Sequence, residues 1–370
     1  MSKRPPVPEQ LRPRLAALRR RLRDVGHDAL VIVNPADIRY LTGFVGDDSW
    51  AVVPASTGAV TIISDSRFEE QIAREAPHAS TVIRKRKLAE ALLALMNRRG
   101  LKSAAVQEDH VTLAAFNSLA ETVGSDRVHG WGDGLLEQRA IKSVDEVNAI
   151  RKAGRIQQQA YVEMLDFLKP GQTEAEVAAF LEYRMRALGA DGVSFPSIIA
   201  ADANAALPHA IPGRRRIKNG SLVLIDWGAR FGGYCADMTR VIALGKMKPK
   251  LREIYQVVLE AQLAGIDAIR PGVAMVDVDA AARKVIANAG FGDRFGHGLG
   301  HGLGLDVHEA PRLSPLAGDG VLQPGHVVTV EPGIYLPGVG GVRIEDDVLV
   351  TDRGRRVLTD LPKSLESAII

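Results

Sequence analysis

Four acidic residues occupy two hairpin patterns, which makes them candidates for binding metal ions. Asp226 ends a buried-strand run, and Asp237 follows a glycine-containing turn. Centring that turn between Phe231 and Gly232 makes Asp226 and Asp237 direct cross-strand partners, with Cβ atoms about 5 Å apart. Two carboxylates held that close beside apolar strands repel each other unless a cation lies between them.

A second hairpin pattern carries Glu331 and Glu345. Centring its turn on Gly338 places the two glutamates opposite each other. Two acidic pairs and a histidine make an oxygen-rich set that suits two divalent ions sharing carboxylates as bridges. Either pair alone also fits an ordinary exposed hairpin, so the metal hypothesis depends on both pairs being present.

The nitrogen donor is expected in the glycine-dense segment 297–304. This segment contains His297 and His301, and His308 follows it. It lacks the Lys-Ser/Thr of a phosphate-binding loop, so the histidines indicate metal binding or acid–base chemistry. Glycine at these positions lets the backbone approach the site closely.

A weak internal repeat suggests how these residues are positioned. Pro170-Gly171 and Pro271-Gly272 each precede a helical pattern, and the same offset separates the starts and the ends of the two patterns. His209 and His308 follow at similar distances, and each precedes a hairpin with two acidic residues. Two related halves would close around a shared central site.

The residues before this repeat have the pattern of a separate domain. Residues 1–134 read as alternating helices and strands, typical of a small α/β domain, with the glycine-rich stretch 129–134 as the predicted linker. Ser143 and Glu146 then form a capping-box pattern that opens a long helix. The second domain is predicted to span 135–370.

Composition narrows the class of protein. The chain has 370 residues, 46% hydrophobic and 25% charged, with a formal net charge of +3. That charge is too small to indicate a nucleic-acid partner. A single cysteine excludes an internal disulfide framework, and neither a signal-peptide core nor a run of about 18 apolar residues is present. We therefore expect a cytoplasmic enzyme without a membrane partner.

Several motifs together resemble a known family. The strings IDWGARFGGYCADMTR, HGLGLDVHEAP, TVEPGIY and VRIEDDVLVT occur in that order, and IRYLTGF lies near the N-terminus. They resemble the M24-type metallopeptidases of the pita-bread fold, which include creatinase, methionine aminopeptidase, aminopeptidase P and prolidase. The resemblance covers nearly the whole chain. It implies an α/β (α+β) protein, in which a creatinase-like domain precedes a pita-bread domain with a pseudo-twofold repeat.

The resemblance also implies which residues bind metal. Asp226 would bind one ion, and Asp237 and Glu345 would bridge both. His301 and Glu331 would complete the second ion. The carboxylate majority favours manganese, although cobalt, zinc or iron would accept the same ligands.

Catalytic roles follow from the same resemblance. Glu331 would accept a proton and pass it to the leaving nitrogen, and His209 and His308 would hydrogen-bond the substrate and the oxyanion. The sequence departs from the family pattern at residues 201–203, which affects the expected shape of the substrate rim.

Three further residues have alternative interpretations. Strand alternation places Arg343 on the face of Glu345, where it would support the hydrogen-bond network or meet a substrate carboxylate. The alternative is a surface partner of Asp346 or Asp347. Tyr234 fits the rim of the site or the core equally well. Cys235 has no basic neighbour in the pattern and receives no role.

The N-terminal domain indicates the substrate. Methionine aminopeptidases lack this domain and proline-specific members have it, so the resemblance implies an Xaa-Pro aminopeptidase acting on peptides with proline in second position. The alternatives are an Xaa-Pro dipeptidase (prolidase) and a non-catalytic binding protein with the same fold. A homodimer is expected.

Overall fold

The computed structural model describes residues 4–132 and 134–370. The chain divides into two compact units, Met1–Gln138 and Arg139–Ile370. No helix among the described residues is both long and apolar enough to span a membrane.

The first unit alternates helices and strands, as the sequence predicts. Its helices are α1 (Leu11–Asp24), α2 (Pro35–Thr42), α3 (Glu69–Glu75), α4 (Leu88–Arg99) and α5 (Leu113–Val123), and α6 (Gly134–Ala140) follows them. Its strands are β1 (Ala29–Ile32), β2 (Trp50–Pro54), β3 (Thr61–Ser64), β4 (Ser80–Ile83), β5 (Ala104–Gln107) and β6 (Val128–Trp131). The leucines of α1 that recur at helical spacing are all buried, which explains how this helix packs.

The strands of the first unit form one mixed sheet in the order β4-β3-β2-β1-β5-β6. Strands β3 and β4 are parallel, as are β1, β5 and β6, and the remaining pairs are antiparallel. The prediction that residues 129–134 form a linker is wrong, because residues 128–131 form the edge strand β6 beside β5. Position 133 of that stretch lies outside the described residues.

The second unit contains the remaining elements. Its helices are α7 (Val144–Phe167), α8 (Glu174–Ala187), α9 (Pro249–Ala268) and α10 (Met275–Asn288). The strands of its first half are β7 (Gly192–Val193), β8 (Ile198–Ala201), β9 (Leu222–Trp227), β10 (Ala229–Phe231), β11 (Tyr234–Cys235) and β12 (Met238–Ala243). Those of its second half are β13 (Gly300–Gly302), β14 (Glu309–Leu313), β15 (Val327–Val330), β16 (Gly333–Leu336), β17 (Gly340–Arg343), β18 (Asp346–Thr351) and β19 (Gly354–Val357).

The internal repeat is visible in the helices. Helices α8 and α10 have the same length, and the same offset separates their first and their last residues. The capping box of Ser143 and Glu146 opens α7 as predicted, and Thr173 with Glu176 forms a second one at α8. Each half contributes an antiparallel sheet, with the orders β12-β9-β8 and β14-β13-β15-β18-β19. The core is apolar around these sheets, and the buried polar residues include those on the hairpins that carry the acidic residues.

Candidate metal centre

The first acidic hairpin differs in register from the prediction. Asp226 is paired with Thr239, and Asp237 lies two residues before that partner. The cause is the turn, because Gly232 and Gly233 have φ angles of +58° and +82° and form the two-residue loop themselves. A slip of two residues keeps the side-chain parity, so both aspartates still face the same side of the hairpin.

The second acidic hairpin has the predicted register. Gly333 pairs with Arg343, and on the other side of the glutamates Val330 pairs with Asp346. Glu331 and Glu345 therefore lie opposite each other, between the strand pair β15–β18 and the strand pair β16–β17. Their backbone N–H groups donate to acceptors outside the hairpin: Glu331 N donates to Leu299 O at 2.8 Å, and Glu345 N donates to Thr239 O at 3.2 Å.

His301 lies on β13, where glycines allow unusually close packing. A Cβ atom at Gly300 would lie 2.0 Å from Thr329 O, and one at Gly302 would lie 2.1 Å from Ala310 O. The His301 Nδ1 atom is 3.1 Å from Gly302 O. Donation from Nδ1 to that carbonyl leaves the Nε2 lone pair facing the acidic residues, which is the state of a histidine that binds metal.

The structure brings three of the five predicted ligands into one cluster. Atoms of Asp237, His301 and Glu345 all lie within 4.8 Å of one another. The other two border it: His301 Nε2 is 3.3 Å from Glu331 Oε1, and Asp226 is hydrogen-bonded to Arg343.

The chemistry of this cluster indicates that it binds divalent cations. Four buried carboxylate oxygens have no hydrogen-bond donor among the described residues, and they are Asp226 Oδ1, Asp237 Oδ1, Glu345 Oε1 and Asp347 Oδ1. Burial and the charge of Glu345 raise the pKa of Asp237 well above its usual range, and burial and Glu331 do the same to the pKa of Glu345. Buried anions without donors are costly, and a bound cation would satisfy them.

Arg343 lies at the centre of a hydrogen-bond network beside the cluster. It is 3% exposed, and its Nη2 atom donates to Asp226 Oδ2 at 2.5 Å. Its Nε atom donates to Thr239 Oγ1 at 3.1 Å, and that hydroxyl donates to Glu345 at 2.6 Å. The surface alternative for Arg343 is wrong, because Asp346 is buried and pairs with other cations.

Sequence reasoning missed two members of this network. The Tyr335 hydroxyl lies 2.8 Å from Arg343 Nη1 and 2.9 Å from His297 Nε2, and Thr239 links Arg343 to Glu345. Strand alternation was an available signal for both, since Tyr335 has the parity of Glu331 and Thr239 has that of the acidic residue two positions before it.

The two outer histidines lie at the edge of the site. The ring of His308 packs edge-on against His301, with centroids 4.2 Å apart, and His308 is exposed on its other side. Burial and the neighbouring His301 lower the pKa of His308, and His209 also contributes. His209 is exposed on a loop whose Pro208 carbonyl accepts a hydrogen bond from Arg343 Nη1 at 3.4 Å.

The remaining singled-out residues lie outside the metal cluster. The Tyr234 hydroxyl donates to Glu146 Oε1 at 3.0 Å, at the start of α7. Cys235 is buried, and burial raises the pKa of its thiol. Asp202, at the departure from the family pattern, has φ +52° and accepts hydrogen bonds from Ser221 Oγ and Leu222 N, so it fastens the rim to the start of β9.

The fold and this site together define a metal-dependent hydrolase. The sequence profile of Metallopeptidase family M24 matches residues 148–352, and that of the Creatinase/Prolidase N-terminal domain matches residues 14–141. The chain belongs to metallopeptidase family M24, a family whose members use divalent metal ions.

Known proteins are similar over almost the full length of the chain. The uncharacterized peptidase YqhT of Bacillus subtilis is 38% identical over 352 residues, which are 95% of this chain and 99% of that protein. The structure of an Xaa-Pro dipeptidase from Bacillus anthracis has a TM-score of 0.92 at 36% sequence identity. The alignment covers 97% of this chain and 100% of the dipeptidase chain. The structure of an X-Pro aminopeptidase from Thermotoga maritima has a TM-score of 0.87 at 35% identity, covering 95% and 100%.

Proposed function

We propose that this chain is a two-metal exopeptidase that hydrolyses the peptide bond preceding a proline. The observation that carries the proposal is the cluster of buried Asp237, half-buried His301 and buried Glu345, with carboxylate oxygens that lack any donor among the described residues. The two ions would be held by Asp226, Asp237, His301, Glu331 and Glu345. The carboxylate majority favours manganese.

In the proposed mechanism, Glu331 transfers a proton of a water molecule that is activated by bound metal ions. Divalent ions held here would lower the pKa of a water molecule and polarise the scissile carbonyl group. Glu331 would accept the proton of that water and deliver it to the leaving proline nitrogen. Thr329 Oγ1 donates to Glu331 Oε1 at 3.3 Å and would help to orient this carboxylate.

The outer residues would act on the substrate. His308 and His209 would donate hydrogen bonds to the substrate carbonyl, where negative charge develops in the transition state. Arg343 would hold Asp226, Thr239 and Tyr335 in a fixed arrangement, because its guanidinium donates to, or lies within hydrogen-bond distance of, all three. These contacts orient the carboxylates before substrate arrives.

Two kinds of exopeptidase fit this site. The first candidate is the Xaa-Pro aminopeptidase predicted from the sequence, which removes one residue from longer peptides; the similarity to the Thermotoga maritima enzyme supports it. The second is an Xaa-Pro dipeptidase, supported by the Bacillus anthracis structure and by a 36% identical Xaa-Pro dipeptidase of Pyrococcus horikoshii. The homodimer remains a prediction, which the mass in solution tests against 39.8 kDa for one chain.

One peptide panel tests the proposal. The metal-free protein, reloaded with Mn²⁺, is incubated with Xaa-Pro dipeptides, Xaa-Pro-Yaa tripeptides and matched peptides with alanine in place of proline. We expect cleavage before proline, much slower cleavage before alanine, and no activity with a chelator present. Preference for tripeptides identifies the aminopeptidase and preference for dipeptides the dipeptidase. Equal rates on the proline and alanine peptides would contradict the proposed specificity, and full activity without metal would contradict the proposed site.

A further inference from the structure

Glu309 directly follows His308 and points the opposite way. His308 is exposed, whereas the side chain of Glu309 is 2% exposed. A buried carboxylate is stable only if both of its oxygens find partners. The partners of Glu309 therefore indicate what holds this part of the chain in place.

Two buried cations and one backbone group hold Glu309. Arg139 and Lys142, whose side chains are 2% and 1% exposed, are paired with its two carboxylate oxygens, Lys142 Nζ at 3.2 Å from Oε2. Asp306 N donates to Oε1 at 2.9 Å, and the Asp306 carboxylate accepts from Arg139 Nη2 at 2.7 Å. The carboxylates of Glu309 and Asp306 face these two cations, and neither cation belongs to any motif of the metal site.

The backbone before His308 wraps around this carboxylate. A Cβ atom at Gly304 would lie 2.7 Å from Glu309 Oε2, so only glycine fits there without a shift. The Gly304 carbonyl accepts a hydrogen bond from Cys235 N at 2.7 Å, on the strand that leads to Asp237. The segment 304–309 is therefore fixed at both ends, with His308 held against the ring of His301.

A second buried carboxylate holds the loop of the other outer histidine. Glu174, 1% exposed at the start of α8, accepts from Ala201 N at 2.7 Å and from Asn204 Nδ2 at 2.9 Å on one side of the loop. On the other side it accepts from Gly213 N at 3.1 Å. His209 lies between these two attachment points.

We propose that Glu309, with Arg139 and Lys142, is the positioning residue of His308, and that Glu174 is the positioning residue of His209. Neither carboxylate touches substrate in this scheme, and each acts only through its own histidine. The inference rests on the proposed function, in which both histidines bind the reacting carbonyl. Loss of a positioning residue displaces the catalytic group by about 1 Å or less, and such a displacement lowers the rate by about 10–100-fold.

Double-mutant cycles separate positioning from plain stability. Glu309→Gln and Glu174→Gln are made in the parent, in His308→Ala and in His209→Ala, and kcat/KM, metal content and Tm are measured with a proline peptide. Glu309→Gln should lower kcat/KM about 10–100-fold in the parent and in His209→Ala, and less than about 3-fold in His308→Ala. Glu174→Gln should show the reverse pattern. Metal content should stay at the parental value throughout, and the Tm loss of each glutamine variant should be equal in every background.

The same experiment contains the outcomes that overturn the inference. If Glu309→Gln lowers kcat/KM equally in all three backgrounds, or if it removes bound metal, Glu309 is not the positioning residue of His308. If His308→Ala and His209→Ala themselves leave kcat/KM unchanged, the proposed roles of the histidines fail, and the inference fails with them. Should Glu309→Gln not fold because it leaves an excess of buried positive charge, the combined variant Lys142→Met/Glu309→Gln restores the balance and replaces it in the cycle.

Discussion

Replacing Asp237 by asparagine should have opposite effects on the metal-free and the metal-loaded protein. The carboxylates of Asp237 and Glu345 are both buried and present atoms within 4.8 Å of each other. Without a cation between them these groups repel, which is why burial and Glu345 raise the pKa of Asp237 so far. An asparagine keeps the shape, removes one charge and can donate to Glu345.

The size of the effect follows from the distance. Two unit charges at 4.8 Å interact by about 3–4 kcal/mol at an effective dielectric constant of about 20. Part of this cost is already relieved in the parent, because the raised pKa lets a carboxyl group take up a proton. We therefore expect Asp237→Asn to raise the free energy of unfolding of the metal-free protein by about 1–2 kcal/mol, which raises its Tm by about 1–3 °C.

The metal-loaded protein should respond in the other direction. An ion present at 100 times its Kd stabilises the folded state by about 2.7 kcal/mol. The parent should gain this stabilisation for each ion that it binds, whereas a variant without the Asp237 carboxylate, a proposed ligand, should lose most of it. Added Mn²⁺ should raise the Tm of the parent and change that of Asp237→Asn little.

Thermal scans of chelator-treated protein, with and without Mn²⁺, measure both effects. Asp319→Asn is the matched control, because Asp319 is exposed and lies outside the cluster, and this variant should behave as the parent in both conditions. A metal-free Asp237→Asn protein that melts below the parent would refute the reasoning, since it would mean that Asp237 contributes more through its contacts than it costs through repulsion.

Further predictions concern turnover and pH. His308→Ala and His209→Ala should each keep their metal content and lose about 10²–10³-fold in kcat, the scale of one transition-state hydrogen bond. Glu331→Gln should lose more turnover than either, with partial loss of metal; nearly parental kcat in this variant would place the proton acceptor elsewhere. Burial and Lys142 lower the pKa of His326 to about 4, against about 6.5 in an unfolded chain, so the unfolded state binds more protons between these values. The free energy of unfolding should fall as the pH drops from about 6.5 towards 4. Denaturation curves at several pH values should show a weaker pH dependence for His326→Gln than for the parent. An unchanged pH dependence would mean that His326 is not the group responsible.

Local pattern was enough to predict the elements that carry the site. The capping box at Ser143 opens a helix as expected, the repeat appears in α8 and α10, and the second hairpin has the predicted register. In that hairpin the turn has one clear centre at Gly338. The first hairpin has two adjacent glycines beside Phe231, so two centres were compatible with the pattern, and the sequence alone favoured the wrong one.

Long-range contacts explain the other differences. The strand β6 was mistaken for a linker because it overlaps the stretch 129–134, which contains three glycines, and its pairing with the parallel strand β5 leaves no local signal. Tyr335 and Thr239 could have been found from strand parity. The pairing of Arg139 and Lys142 with Glu309 joins residues more than 160 positions apart, and no spacing rule reaches that far.

The division of the acidic cluster between the two halves of the repeat has a consequence for protein synthesis. Asp237 belongs to the first half, whereas His301 and Glu345 belong to the second. A ribosome that adds roughly 5–20 residues per second needs on the order of 5–20 seconds to pass from Asp237 to Glu345. During that interval the nascent chain already contains the first aspartates but lacks the residues that complete the cluster. With the proposed ligands, metal would be captured late, and the cell would have to supply the ion to a chain whose second half has already emerged.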